Sequence, residues 1–314
     1  MKNSWIKELK VGDEVVDFFA LRKKELKEYN GNLFLRLELS DRTGRIEAVV
    51  WNQARDAYES LPLGEVVKVK GRVGSYKDNP QITLERVREA LSEEFDPKDF
   101  LPSRELNVEA LFSSLREKIA AVQNPQLKAL LDSVFSDEDF LSKFKLAPAG
   151  KLWHHTYVGG LLEHTLTVTE ICEKVAPHYR LLDRDLLVTG ALLHDIGKTE
   201  ELTGTLFFDY SDVGRLEGHI AIGCQMVQDK IKKLKDFPEN LAARLKHLIL
   251  SHHGSKENGS PVVPQTLEAF ILYYVDELDS KVSGVTRIIE SESAPDKRWS
   301  DWVNLLDRFI YLGE

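Results

Sequence analysis

The side chains able to do chemistry in this 314-residue chain gather in its second half. His194 and Asp195 are adjacent and close an apolar run, Leu186 to Leu193. His164 lies upstream in Gly159-Gly160-Leu161-Leu162-Glu163-His164-Thr165, and His219, the pair His252-His253 and Asp276 follow downstream. Imidazole nitrogens and carboxylate oxygens are the donors that a hard or borderline divalent metal requires. Six such groups, His164, His194, Asp195, His219, His252 and Asp276, suffice for two metals sharing one bridging carboxylate, an arrangement that would make the chain a hydrolase. Asp276 adjoins the apolar stretch Phe270 to Val275. An unpaired buried carboxylate there would be costly and would take up a proton, and a metal is the simplest partner that avoids this.

The elements that must carry these groups are helical. From Val108 onward the apolar residues recur at helical spacing, first in Leu111, Leu115, Ile119 and Val122, then over 158–176, 183–196, 216–234, 239–252, 265–282 and 300–311. Breaks fall at Pro177, Asp183, Pro238, Gly254 and the Gly259-Ser260-Pro261 loop. The expectation is an all-α domain over 109–314, with His164 mid-helix, His194-Asp195 and His252 at helix ends, and His219 near a helix start.

The first part of the chain reads differently. Alternation appears in Leu33 to Leu39, Ile46 to Trp51, Val66 to Val73 and Ile82 to Val87, after an earlier apolar segment starting at Val15. Asp41-Arg42-Thr43-Gly44 reads as a hairpin turn using the positive φ that glycine allows, and 53–61 is the one helical interruption. Five strands with a helix between the third and fourth describe an OB-fold, a small all-β barrel that commonly holds single-stranded nucleic acid. We therefore expect an OB-fold domain at 1–88, a linker at 89–108 carrying two prolines and a run of acids, and the helical domain after it.

Composition agrees. With 30% charged and 42% hydrophobic residues the chain is globular in type, and its length favours two domains. No apolar run is long enough to cross a bilayer, and Met1 to Glu8 lacks a segment of signal-peptide length, so a cytoplasmic protein without a membrane partner is expected. Cys172 and Cys224 sit in apolar helical patterns and are expected as small buried residues, with no disulfide or thiolate site. A net charge of −9 argues against coating nucleic acid by bulk electrostatics. Residues 1–90, however, hold 17 Lys and Arg against 15 Asp and Glu, and the remainder 25 against 36. Any grip on an anionic polymer thus belongs to the first module, with metals supplying local positive charge in the second. Candidate nucleic-acid contacts there are Lys23, Lys24, Tyr29, Arg36, Trp51, Arg72, Tyr76 and Lys77, because single strands bind by stacking on aromatic faces while cations follow the phosphates.

These residues resemble known families. Asp41 to Glu47 followed by Trp51 resembles the anticodon-type OB-fold nucleic-acid-binding family. His164, His194-Asp195 and Asp276 match the H…HD…D signature of the HD-domain metal-dependent phosphohydrolases, and His219 and His252 match the extra ligands of its dinuclear members. That resemblance implies one metal held by His164, His194, Asp195 and Asp276, and a second held by bridging Asp195 with His219 and His252. An OB-fold followed by an HD domain at this length, with the run Trp153 to Thr165, is similar over nearly the whole chain to the YhaM-type 3′→5′ exoribonucleases of bacteria. The resemblance implies a manganese-dependent exonuclease acting on single-stranded RNA, with DNA left open as a second substrate, that releases nucleoside 5′-monophosphates; composition and spacing alone reach only a metal phosphohydrolase with a single-strand-binding module.

On this reading Asp195 and Lys198 are the catalytic residues: two metals activate a water and polarise the scissile phosphate, and Lys198 neutralises a phosphate oxygen. The mixed donor set suits Mn²⁺ or Fe²⁺ and leaves Zn²⁺ open. His253 could serve in place of His252, and Asp279, one turn after Asp276, in its place. Glu163 faces away or touches a ligand from behind, His154 and His155 are open to a phosphate contact or a surface role, and His178 and His247 read as structural. The competing readings are a phosphodiesterase or phosphatase for small nucleotides with a regulatory OB module, a dinuclear iron oxygenase, and a non-catalytic nucleic-acid binder with a structural metal. A homo-oligomer is compatible with the sequence. The Gly-Tyr-Pro element of cyclic-dinucleotide enzymes is absent after His252-His253-Gly254, where Ser255-Lys256-Glu257 follows.

Overall fold

A computed structural model describes residues 2–77, 79–101, 106–151, 153, 155–203, 206–293 and 297–313. It forms two compact units, one of residues 1–104 with 204–209, the other of 105–203 with 210–314.

In the first unit, strands β1 (Glu14–Tyr29), β2 (Asn32–Asp41), β3 (Gly44–Val50), β4 (Val66–Tyr76) and β5 (Asn79–Glu89) close into a barrel in the order β1-β2-β3-β5-β4, with helix α1 (Ala54–Ser60) between β3 and β4. The long strand β1 pairs with β2 through one half and β4 through the other, across an irregularity between Leu21 and Lys23. Period-two alternation does the sorting. Leu35, Leu37, Leu39, Ile46, Ala48 and Val50 point into the barrel core with Phe19 and Leu21. The turn between β2 and β3 forms otherwise than the sequence suggests. Gly44 is not among the residues at positive φ; instead the Asp41 carboxylate accepts from the Thr43 amide at 2.8 Å and its hydroxyl at 2.6 Å, an Asx turn that needs no left-handed residue.

The first unit also extends past the boundary expected at residue 88. Ala90 and Phe100 are buried in a small apolar cluster with Phe18, Ala20, Val66 and Leu206, and Phe95 and Phe207 pack against it. What read as a linker is therefore in part a strap on the barrel, as its apolar residues allow; residues 102–105 of that stretch lie outside the described residues.

The second unit is a helical bundle: α2 (Val108–Ala120), α3 (Pro125–Phe135), α4 (Glu138–Leu146), α5 (Gly160–Val175), α6 (Arg184–Leu193), the single turn α7 (Lys198–Glu201), α8 (Asp212–Ile231), α9 (Glu239–Ser251) and α10 (Leu267–Glu292). Two short strands, β6 (Leu202–Thr203) and β7 (Asp209–Tyr210), pair between α7 and α8. Helix α6 is buried along every residue from Leu186 to Leu193, which marks it as the central element. Asp183 caps its start by accepting from the Leu186 amide at 3.1 Å.

Residues 300–311 are not the expected helix. They carry two isolated bridges, Trp299 with Tyr311 and Val303 with Arg308, and Asp307 sits at φ 53°. The apolar spacing of Trp302, Leu305 and Phe309 mimics a helical stripe, yet all three stay substantially exposed, so no core burial rewards the helix. Of the two free cysteines, Cys172 is buried as expected and Cys224 only half-buried. No helix among the described residues is long and apolar enough to cross a membrane.

Candidate metal centre

Five helices and one turn deliver the donors. His164 lies within α5, His194 and His252 cap the ends of α6 and α9, and Asp276 lies on α10. Asp195 follows in the turn that leads to α7, and His219 lies in α8. Gly197 lets that turn close against α8, since a Cβ there would fall 2.1 Å from the His219 carbonyl oxygen and 2.6 Å from the Gly223 nitrogen.

The two oxygens of Asp195 face two different donor sets. Around Oδ2, the Nε2 atoms of His164 and His194 each lie 3.4 Å away, and Asp276 Oδ1 lies 3.1 and 3.7 Å from those two nitrogens. Around Oδ1, the Nε2 atoms of His219 and His252 lie at 3.4 and 3.5 Å. Donors bound to one metal at about 2.1 Å stand about 3.0–3.4 Å apart, and the separations here, 3.1–3.7 Å, lie within a few tenths of an ångström of that range. His164, His194 and Asp276 form one group able to hold an ion, and Asp195, His219, His252 and His253 another. The structure thus brings together all six donors expected from the sequence. His253 stands beside His252 in the second group, and Asp276 and Asp279 lie at the two different ring nitrogens of His164.

Tautomers follow from the other ring nitrogens. Nδ1 of His194 donates to the Ala191 carbonyl at 2.8 Å, that of His252 to the Ile249 carbonyl at 2.7 Å and that of His253 to the Asn258 carbonyl at 2.9 Å. A carbonyl can only accept, so Nδ1 carries a proton in all three; the neutral form of each ring turns a lone pair outward from Nε2, and an ion bound at His194 would displace the second proton that its carboxylate neighbours favour. His219 Nδ1 pairs with Glu201 at 3.0 Å and His164 Nδ1 with Asp279 at 2.6 Å. Carboxylate or carbonyl support behind each ring is the usual arrangement for metal-binding histidines.

The fit to a cation is clearest at the second set. Asp195 Oδ1, His219 Nε2 and His252 Nε2 are buried with no hydrogen-bond partner. Three acceptors converging in a buried site repel one another unless a cation lies between them. Burial holds His219 and His252 below the ordinary imidazole range and takes His253 down to about 4, which keeps these rings neutral at pH 7. At the first set burial pulls the same way, but the neighbouring carboxylates outweigh it and raise His164 and His194, the latter to about 9. Burial would raise Asp195 and Asp276, yet Lys198 and the histidines at the former, and His164 and His194 at the latter, hold both well below the usual carboxylate range. Lys198 is itself buried, with its ammonium 2.5 Å from Asp195 Oδ2, so its charge is delivered at the carboxylate shared by the two donor sets.

The proposed nucleic-acid contacts lie on the barrel. Trp51 is 46% exposed and stacks on Phe34 with centroids 4.8 Å apart, and Lys27 stands opposite Phe34 in the β1–β2 register. Tyr29 and Tyr76 are exposed at the ends of β1 and β4, and the Lys77 ammonium lies 5.5 Å from the Tyr76 ring. Several cations already have acidic neighbours: Lys23 lies 3.1 Å from Glu38, Arg72 lies 3.5 Å from Glu14, and Arg36 is paired with Glu47. Lys24 points elsewhere and donates to the carbonyls of Tyr58 and Leu61 at 2.6 and 2.7 Å, at the end of α1. Sequence reading missed Glu201 and Asp279 as supports for metal-binding rings, though a carboxylate behind a ligand histidine was a signal to seek. His247 accepts from the Gln265 amide at 3.0 Å, consistent with a structural part. His154 lies outside the described residues.

A nucleic-acid-binding barrel joined to a helical unit whose histidines and aspartates converge on one carboxylate defines the class of the HD-domain metal-dependent hydrolases. The HD domain family matches residues 161–281, and the OB-fold nucleic acid binding domain matches residues 20–90. The chain is 33% identical over 282 residues to the 3′-5′ exoribonuclease YhaM of Bacillus velezensis, covering 89% of each chain. It is 34% identical over 280 residues to that of Bacillus subtilis, covering 88% of each. Against that of a Geobacillus species it is 34% identical over 282 residues, covering 88% of this chain and 86% of the other. The chain belongs to the YhaM 3′-5′ exoribonuclease family.

Proposed function

We propose that the protein is a metal-dependent 3′→5′ exonuclease that shortens single-stranded RNA, with single-stranded DNA as a further candidate substrate, to nucleoside 5′-monophosphates in the cytoplasm. The observation that carries this reading is the division of the Asp195 carboxylate between two donor sets, His164, His194 and Asp276 at Oδ2 and His219 and His252 at Oδ1. Those residues would hold two divalent ions, Mn²⁺ by preference for a mixed imidazole and carboxylate set, with Fe²⁺ and Zn²⁺ as competitors. Bound there, such ions make water nucleophilic near neutral pH and offset charge on a phosphate.

The chain's own residues supply the rest. The histidines, locked by their Nδ1 contacts, hold their lone pairs in place, so no reorganisation is needed when substrate arrives. Lys198 keeps a positive charge at the bridging carboxylate, which lowers the local cost of bringing in a phosphodiester. The surrounding burial excludes bulk water and strengthens each of these interactions. The barrel, with its exposed Trp51 and Phe34 pair, offers a stacking surface for single-stranded bases.

Two measurements test the reading. RNA carrying a label and a single-stranded tail at either the 3′ or the 5′ end is incubated with the protein and Mn²⁺, and products are resolved by length. Stepwise shortening from the 3′ tail with release of 5′-monophosphates is expected; attack on free nucleotides alone would overturn the assignment. Asp195→Ala, which touches both donor sets, is expected to abolish hydrolysis and bound metal together while the circular dichroism spectrum stays that of the parent.

A further inference from the structure

A third group of donors lies behind the metal centre: His155, His164 and Asp279. Its geometry differs from that of the two sets facing Asp195. Asp279 Oδ2 is 2.6 Å from His164 Nδ1 and 3.0 Å from His155 Nε2, so one oxygen serves two rings. The shorter separation is that of a charge-assisted hydrogen bond, below the roughly 3.0–3.4 Å expected between two donors of a common ion. On α10, Asp276 and Asp279 are three residues apart and share a face. Asp276 Oδ1 faces Nε2 of His164 at 3.1 Å while Asp279 grips Nδ1 of the same ring, so one helix holds the imidazole from both nitrogens.

Asp279 is in turn held. His155 Nε2 reaches it, and His155 Nδ1 lies 2.8 Å from the Tyr157 hydroxyl and 3.2 Å from Glu163 Oε2; Tyr157 donates to the same Glu163 oxygen. The segment that presents His155 is packed tightly, because a Cβ on Gly160 would fall 2.0 Å from the His155 carbonyl oxygen. That close approach gives a physical reason for glycine at the start of α5. His155 is also buried.

We propose that Asp279 is a positioning residue for the first metal set, fixing the His164 tautomer and ring orientation, and that His155 anchors Asp279, making this group a support and not a third metal site. The proposal rests on the dinuclear reading above. Without Asp279, His164 can turn or move its proton to Nε2, and the first set loses a donor while the second keeps all of its own.

The test uses full-length, metal-free protein titrated with Mn²⁺ alone, with bound ions counted by calorimetry and by electron paramagnetic resonance. The parent is expected to take two ions per chain. Asp279→Ala should weaken one of them by about 10–100-fold, the usual cost of losing a support behind a ligand, and leave the other at parental affinity. Asp279→Asn, nearly isosteric and still able to accept from His164 Nδ1, should lose less than the alanine variant, and His155→Ala should fall in the same direction. This site selectivity is what a merely structural role would not produce. Equal weakening of both ions, or weakening of neither, would overturn the proposal. So would a parent that binds three ions of which Asp279→Ala deletes one. A parent binding a single ion would refute the dinuclear reading instead, and the positioning role would then be decided by whether that ion weakens in Asp279→Ala and less so in Asp279→Asn.

Discussion

At the scale of single residues, the two adjacent lysines of the barrel illustrate how position decides role. Lys23 is exposed and lies beside Glu38, where a phosphate can compete for it, whereas Lys24 closes the end of α1 through two carbonyls. Replacing Lys23 by alanine is expected to lower the slope of log affinity for single-stranded RNA against log salt by at most about 0.7. Lys24→Ala is expected to leave that slope alone and to cost roughly 1–3 kcal/mol of stability in urea unfolding, since charged donors to carbonyls are lost. Trp51→Ala should cost roughly 1–3 kcal/mol of RNA affinity with the slope unchanged, because stacking releases no counterions; parental binding would place the stacking surface elsewhere. The candidate donors were legible in the sequence because residue type announces their chemistry. Their supports were not, because Asp279 is 115 residues from His164 and only the packing of α10 on α5 brings them together. The ion pairs of the barrel were equally hidden, since strand register fixes which charges face each other.

At the scale of elements, hydrophobic period identified the helices that carry the centre and failed where no core rewards it. Arg184 to Leu193 and Glu239 to Ser251 appear within a few residues of expectation, while 300–311 folds into bridges because its apolar stripe stays outside the bundle. α10 runs on to Glu292, ten residues beyond the expected end, because no breaker interrupts the stretch. Tight approaches between elements left a fainter mark, a glycine whose reason appears only in three dimensions. Gly197 is the sharpest case. An added methyl would meet backbone atoms of His219 and Gly223, neither of which can rotate aside. Gly197→Ala is therefore expected to displace α8 and His219 with it; a shift of about 1 Å should lower the rate of hydrolysis by roughly 100-fold. The first metal set does not depend on α8, so its ion should be retained when bound metal is measured. Unchanged turnover would show that the two segments can part without moving the centre.

At the scale of the molecule, the division into two units does not coincide with a single break in the chain. Residues 204–209 belong to the barrel unit although the flanking residues on both sides belong to the helical one, and Leu206 is buried beside Phe18 and Phe100. A protein beginning at residue 105 would therefore expose Leu206 and Phe207, and is expected to bind a hydrophobic dye and to aggregate unless both are made polar. With those changes it should still hydrolyse short substrates while losing affinity for long strands. Failure to hydrolyse any substrate would show that the barrel is needed for more than grip. The same arrangement bears on how the protein is made. Synthesis proceeds from the amino terminus, and the apolar cluster on the barrel is completed only when Leu206 emerges, about 100 residues after Phe100, or roughly 5–20 s later at ordinary ribosomal speed. For that interval a nascent barrel displays Phe18, Phe95 and Phe100 to whatever is nearby, so the period of greatest exposure to chaperones and to misassembly spans the translation of α2 to α7, the helices that carry the candidate donors His164 and His194.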